Sequence, residues 1–222
     1  MTILPETQRP LVLLGAGGHA LVLLALAVAA GHSVKGVCDP RLTAEGAQRW
    51  QGLPVLGDDS AAETELPEAV GLINGIGQLP GGSARKQLFE RMRARGFRFP
   101  AMVHPAAWVA PGVELDEGAQ IMAGAVIQPG SRIGANTIVN TRAGIDHDCA
   151  VGADVHIAPG ATLCGNVTIG SGAFIGAGAI LTHGSTVGRD AFVHAGATLV
   201  RDLPSGQILA GPASRTTTRR TT

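Results

Sequence analysis

His147 stands between two acids in the run Asn140-Thr141-Arg142-Ala143-Gly144-Ile145-Asp146-His147-Asp148-Cys149. A carboxylate beside an imidazole fixes its tautomer and stabilises its protonated form, which is what a general base needs. The plainer alternative is a surface histidine. Eighteen residues on from His147 is Gly165, and eighteen further is His183. If those steps are stacked coils, the Gly165 N–H lies about 5 Å from His147 by strand spacing and is placed to serve as an oxyanion donor. His156 falls on a different edge of such a coil, and His183 and His194 are expected to be incidental. Cys149 and Cys164 are near His147 in sequence and raise a ping-pong route, but neither has the basic setting that a thiolate nucleophile requires.

A second constellation is Gly15-Ala16-Gly17-Gly18-His19-Ala20, between the apolar run Leu11 to Leu14 and the helical stretch Leu21 to Ala30. It fits G-x-G-x-x-[GA], whose glycines let the backbone approach a pyrophosphate at a helix N-terminus. Ser33 to Cys38 forms a second strand ending in Asp39, the right place for an acid that hydrogen-bonds a ribose or base. A tight strand-to-helix turn with no ligand is the other reading. Val55-Leu56 and Val70 to Ile76 supply further strands, and Ser83 to Arg95 supplies a helix before Gly96. On that helix Arg85, Lys86, Arg91, Arg93 and Arg95 form a solvated basic face, with Arg85 near enough to its start to reach a phosphate.

These groups need a scaffold, and the sequence supplies one. Every sixth residue from Val103 to Leu199 is aliphatic: seventeen consecutive stops without an insertion, among them Ile121, Ile127, Ile145, Ile157, Leu163 and Ile175. Small residues sit four places after most stops, and Gly often follows directly, which suits short strands joined by turns too tight for bulky side chains. Three hexads make an 18-residue coil, so five to six coils stack at ~4.8 Å and residues 18 apart form columns. Only the residues before about 100 remain for the glycine turn, too few for both halves of a full dinucleotide fold. A nicotinamide-dependent dehydrogenase is therefore disfavoured, and a nucleotide diphosphate is the expected ligand.

Composition agrees. Seventeen basic and seventeen acidic residues cancel, so neither nucleic acid nor an anionic membrane is favoured as the main partner. The chain has 222 residues, 45% of them hydrophobic, enough for a core, while 32 glycines and no tyrosine suit repeated tight turns. Cys38, Cys149 and Cys164 make an odd number without a CxxC pair or zinc spacing, as expected of reduced thiols in a cytoplasmic protein that holds no metal. Leu11 to Gly31 has no charged residue and could pass for a signal peptide or membrane span, but Gly15, Gly17 and Gly18 interrupt it. A strand, turn and buried helix account for the same letters.

With the glycine turn, Asp39 and the His-Asp pair on a hexapeptide repeat, residues 10 to 213 resemble the NeuD/PglD-like bacterial sugar acetyltransferases. The resemblance implies an N-terminal half-Rossmann-like parallel α/β domain over 1–100, a left-handed parallel β-helix over 101–213, a polar tail over 214–222, and a homotrimer with sites between subunits. It implies that His147 is the general base, that Asp148 orients it, that the Gly165 amide holds the thioester oxyanion, and that His156 contacts acetyl-CoA. Gly15, Gly17, Gly18, His19 and Asp39 fall on the nucleotide-sugar side. Two departures stand: Ala210-Gly211-Pro212-Ala213-Ser214 lacks the family's Lys, for which Arg215 or Arg219-Arg220 would have to substitute, and Asp148 is shorter than the Glu of some members. The expected activity is acetyl-CoA-dependent N-acetylation of a UDP- or GDP-linked aminodeoxysugar without an acyl-enzyme. O-acetylation of a sialic acid or related sugar, and a non-catalytic nucleotide-sugar-binding trimer, are the alternatives.

Overall fold

The computed structural model describes residues 9–211. The tail expected at 214–222, Pro212-Ala213-Ser214 and the arginines at 215, 219 and 220 lie outside the described residues. The N-terminal part runs β1 (Leu11–Leu14), α1 (Gly18–Ala29), β2 (Val34–Cys38), α2 (Pro40–Ala44), β3 (Arg49–Trp50), β4 (Leu53–Gly57), α3 (Asp59–Ala62), β5 (Gly71–Asn74) and α4 (Ala84–Ala94). The sheet order is β3-β4-β2-β1-β5, parallel except for the β3–β4 pair. β1 and β5 are buried along their whole length, which is why β1 is written as an unbroken apolar run rather than as an alternation, while β5 ends in Asn74, whose side chain is hydrogen-bonded.

α1 corrects the expectation of a buried helix. It buries Ala20, Leu23, Leu26 and Ala27, but Leu21, Val22 and Val28 are exposed. At 3.6 residues per turn only one stripe of a helix can meet the sheet, however apolar the rest. Among the described residues no helix is long and apolar enough to cross a membrane.

The repeat folds as the period requires. Seventeen two-residue strands, β6 (Met102–Val103) to β22 (Thr198–Leu199), recur every six residues and build a left-handed parallel β-helix with three faces. The faces begin at Met102, Trp108 and Glu114, and each strand pairs with one 18 residues on, as Gly144 with Thr162 and Ile138 with His156. The aliphatic stops point inward and form one continuous core with the small residues of the corners. A final strand, β23 (Ile208–Leu209), extends the first face beyond Leu199, the last of the regular stops, pairing Phe192 with Ile208 at a 16-residue step. Met102, Met122 and Ile138 join the N-terminal core that holds α1. The two parts therefore share apolar packing at the first face.

The corners carry a constraint that bears on the site. Nearly every tight turn holds a residue in the left-handed region, supplied by glycine at many corners, by Asn136, Asp148, Asp154, Asn166 and Asp190 at others and by Arg142 at one, with φ between 55° and 59° at these six. Asn and Asp tolerate this region because a short polar side chain can bond locally. Asp148 (φ 58°) thus has a structural reason to be where it is, besides its neighbour.

Candidate active site

His147 sits on the corner between the second and third faces, between β13 (Gly144–Ile145) and β14 (Ala150–Val151). Both flanking acids bind it. Asp146 Oδ1 accepts from the His147 backbone N–H at 2.8 Å, and Asp148 Oδ2 lies 2.8 Å from Nδ1. A carboxylate can only accept, so Nδ1 carries the proton in the neutral ring and Nε2 holds the free lone pair. The Asp148 hydrogen bond holds the imidazole above its usual pKa, with the Asp146 charge adding in the same direction.

The column arithmetic holds. The imidazole lies over Gly165, where an added Cβ would stand 2.5 Å from Nε2, and the His183 ring lies 6.3 Å away across that gap. The N–H groups of Cys164 and Asn166 are taken by the carbonyls of Leu181 and His147, but the Gly165 N–H enters no backbone hydrogen bond among the described residues. A free imidazole nitrogen and a residue with an unspent amide donor are therefore neighbours one coil apart. Cys149 is buried, its Sγ 3.3 Å from the Cys164 carbonyl, and burial pushes its thiol pKa up, which leaves it protonated and inert. Since Gly144 has no side chain, a shallow groove of about 220 Å³ runs past it along the second face, lined by Val126, Thr162 and Cys164 and reaching Asp146.

The glycine turn lies in the other part of the chain. Gly15 needs its glycine because φ is 89°. Gly17 and Gly18 do not: a Cβ at either meets nothing within 4 Å, and Gly17 is extended. No contact among the described residues requires them, so the space beside the α1 N-terminus can admit a ligand. The turn opens on a cavity of about 360 Å³ lined by Gly15 to His19, Asp39 and Gly75 to Leu79. Asp39 lines it with both carboxylate oxygens already engaged, Oδ2 by Ala16 N–H at 2.8 Å and Oδ1 by Leu42 N–H at 2.9 Å, where it caps α2.

Arg85 does not reach a phosphate, nor is it on a solvated face. It is 2% exposed, and donates from Nη1 to the carbonyls of Asn74 and Ile76 (both 2.8 Å) and from Nε to that of Asn136 (3.1 Å). Burial lowers its pKa to about 9, partly offset by Asp154. The first turn of α4 faces the β-helix, so the guanidinium ties β5 to a corner rather than facing a ligand. The other arginines of the helix are half-exposed and paired with acids: Arg91 with Asp59, Arg93 with Glu117 and Arg95 with Glu63.

His156 stands on the first face, stacked on Phe174 at 4.7 Å between centroids, with its sealed Nδ1 lacking a partner among the described residues. Burial, then the positive potential of His19 and Arg85, lowers its pKa to about 4. His19 lies near it, with Nε2 2.8 Å from Gln120 Oε1. The glycine turn is thereby fixed against the first face, while His147 occupies the opposite corner. One chain does not bring them together. Sequence reasoning missed Gln120, although the 18-residue column that links His147 to Gly165 also links His156 to Ile138 and Gln120. A larger cavity, about 370 Å³ between Gln78–Ser83 and Asp154, Ser171 and Arg189, adjoins the glycine-turn cavity at Gln78, and none of its lining residues has a buried polar atom without a partner among the described residues. Among the described residues no group of His, Cys, Asp and Glu could hold a metal ion.

Residues 10–92 match the model of the PglD N-terminal domain, and residues 166–201 that of the bacterial transferase hexapeptide (six repeats). The acetyltransferase domain of PglB from Neisseria gonorrhoeae, solved with acetyl coenzyme A, is 38% identical at a TM-score of 0.85, over 91% of this chain and 96% of that one. PerB from Caulobacter crescentus, solved with CoA and GDP-perosamine, is 37% identical at a TM-score of 0.81, over 90% of this chain and 92% of that one. WeeI from Acinetobacter baumannii, at 22% identity and a TM-score of 0.81, shares the fold over 91% of this chain and 97% of its own.

Proposed function

The chain belongs to the hexapeptide-repeat sugar acetyltransferases with a PglD-type N-terminal domain, and from this premise we propose that it acetylates the amino group of a UDP- or GDP-linked aminodeoxysugar with acetyl-CoA. In this reading residues 1–100 hold the nucleotide-sugar at Gly15, Gly17, Gly18, His19 and Asp39, and residues 101–213 hold acetyl-CoA. The observation that carries it is the pairing of His147 Nδ1 with Asp148 Oδ2 while Nε2 stands free over Gly165. The sugar amine attacks the thioester carbonyl as His147 Nε2 takes its proton, and the Gly165 N–H meets the developing oxyanion. Collapse expels the thiolate, which recovers the proton from the imidazolium. No acyl-enzyme forms.

The groove past Gly144 suits the extended arm of acetyl-CoA. Because the glycine turn and His147 occupy different sides of the β-helix, the complete site requires His147 of one copy to face the glycine turn of its neighbour, as in a cytoplasmic homotrimer. The test is turnover of acetyl-CoA with a panel of UDP- and GDP-linked aminosugars, set against their hydroxyl counterparts and free sialic acid, with product masses read directly. Acetylation of amines alone supports the reading. Transfer to hydroxyls would replace it with O-acetylation, and no transfer with any acceptor would leave a scaffold.

A further inference from the structure

His19 is joined to the β-helix through a side chain whose orientation is itself fixed. Gln120, 1% exposed on the first face, donates from Nε2 to the Asn74 carbonyl at 3.0 Å. A carbonyl only accepts, so the amide nitrogen must lie on that side and Oε1 must be the atom 2.8 Å from His19 Nε2. Asn74 is held in turn by Arg85 and Asn136, so the amide cannot turn over without breaking a buried network. An oxygen facing a ring nitrogen requires a proton on that nitrogen. Nδ1 is then the bare one. It has no hydrogen-bond partner among the described residues and is not among the sealed atoms, and His19 lines the glycine-turn cavity.

We propose that Gln120 is a positioning residue that locks His19 in the Nε2–H tautomer, so that Nδ1 is offered as a hydrogen-bond acceptor to a hydroxyl or amino group of the nucleotide-linked sugar. This deepens the function proposed above and rests on it for the identity of the ligand, though not for the tautomer. His19 stays neutral over the working range, because burial and then the nearby Arg85 push its pKa down to about 4. The charged or titratable groups around it are Arg85 from α4, His156 from the β-helix and Asp39 after β2. The specificity that follows is for a donor on the ligand: an analogue whose hydroxyl or amine is replaced by hydrogen or an ether leaves Nδ1 unmatched.

The lock is tested without substrate by two-bond 1H–15N correlation spectra of histidine-labelled full-length protein, with His19 identified by loss of its signals in His19→Ala. The wild-type ring should show a protonated Nε2 and a bare Nδ1, and Gln120→Leu should give a mixture of tautomers. With GDP-perosamine and a UDP-linked 4-amino-4,6-dideoxysugar as probes, Gln120→Leu should raise KM for the sugar nucleotide about tenfold, the worth of one neutral hydrogen bond, and leave KM for acetyl-CoA unchanged. Gln120→Glu keeps an acceptor at Nε2 but favours the imidazolium, so its sugar-nucleotide KM should rise as pH falls where that of the wild type is flat. It also decides the matter if the Leu variant does not fold. An Nδ1–H tautomer in the wild type overturns the proposal, as do an unchanged tautomer in Gln120→Leu, equal rises in both KM values, or a flat Gln120→Glu profile. If neither probe is turned over, the proposed function fails instead and the spectra alone decide the tautomer.

Discussion

The imidazole of His147 fills the space that a side chain on Gly165 would occupy one coil away: a Cβ there would lie 2.5 Å from Nε2 and 2.7 Å from Cε1. Gly165 does not have a positive φ, so its backbone would accept alanine without left-handed strain, and the three nearest atoms it would meet all belong to the ring. Gly165→Ala should displace His147, lowering kcat by about 10²-fold, the usual loss for a misplacement near 1 Å. Its melting temperature should stay within about 3 °C of wild type. Full turnover in this variant would separate His147 from the chemistry.

His147 acts only when deprotonated, and its pKa is raised by the Asp148 hydrogen bond and the Asp146 charge. Activity should therefore rise with pH through a limb that lies above the ordinary histidine value. Asp148→Asn removes a negative charge, stabilises the imidazolium less, and should move that limb to lower pH while reducing the plateau kcat. His147→Ala should cost about 10²- to 10⁴-fold in kcat at every pH. A limb that moves upward in Asp148→Asn would contradict the assignment.

Two glycines provide an internal comparison. Gly130 has φ 76° and Gly172 has φ 77°, and a Cβ on either would collide with the carboxylate one coil on, that of Asp148 for Gly130 and Asp190 for Gly172. Alanine at either position should destabilise by about 1–2 kcal/mol or more, from left-handed strain and the clash. Only Gly130→Ala displaces the partner of His147. It alone should lower kcat and shift the acid limb downward, whereas equal effects on kcat would mean that general destabilisation explains both.

Arg85→Met should act on stability rather than on nucleotide binding. The substitution deprives the carbonyls of Asn74, Ile76 and Asn136, two of them buried, of a charged donor, a loss of about 3 kcal/mol or more. Denaturant melts should show the loss, while at low temperature the sugar-nucleotide KM stays within about twofold of wild type. Arg85→Lys should not rescue stability, because a single ammonium cannot span the fork that reaches all three carbonyls. A large selective rise in KM would restore the phosphate contact expected from the sequence.

By itself the sequence determined whatever depends on period and local backbone demand. An aliphatic residue at every sixth place can be buried only if every hexad turns the same corner, so the β-helix, its 18-residue columns and the stacking of His147, Gly165 and His183 were all legible. So were the glycine turn and its strand–turn–helix setting, and α4 to within one residue at each end. Only the tertiary structure decided what depends on faces meeting across long sequence distances. Arg85 is written like its solvated neighbours, and nothing local reveals that the first turn of α4 packs against Asn136, 51 residues away. His19 and Gln120, 101 residues apart, meet because the N-terminal core closes over Met102, Met122 and Ile138. The same docking holds the glycine turn against one face and leaves His147 on another. A repeat states how far apart two residues are along its axis, whereas which of three equivalent faces a second domain covers is set by the apolar surface each face presents.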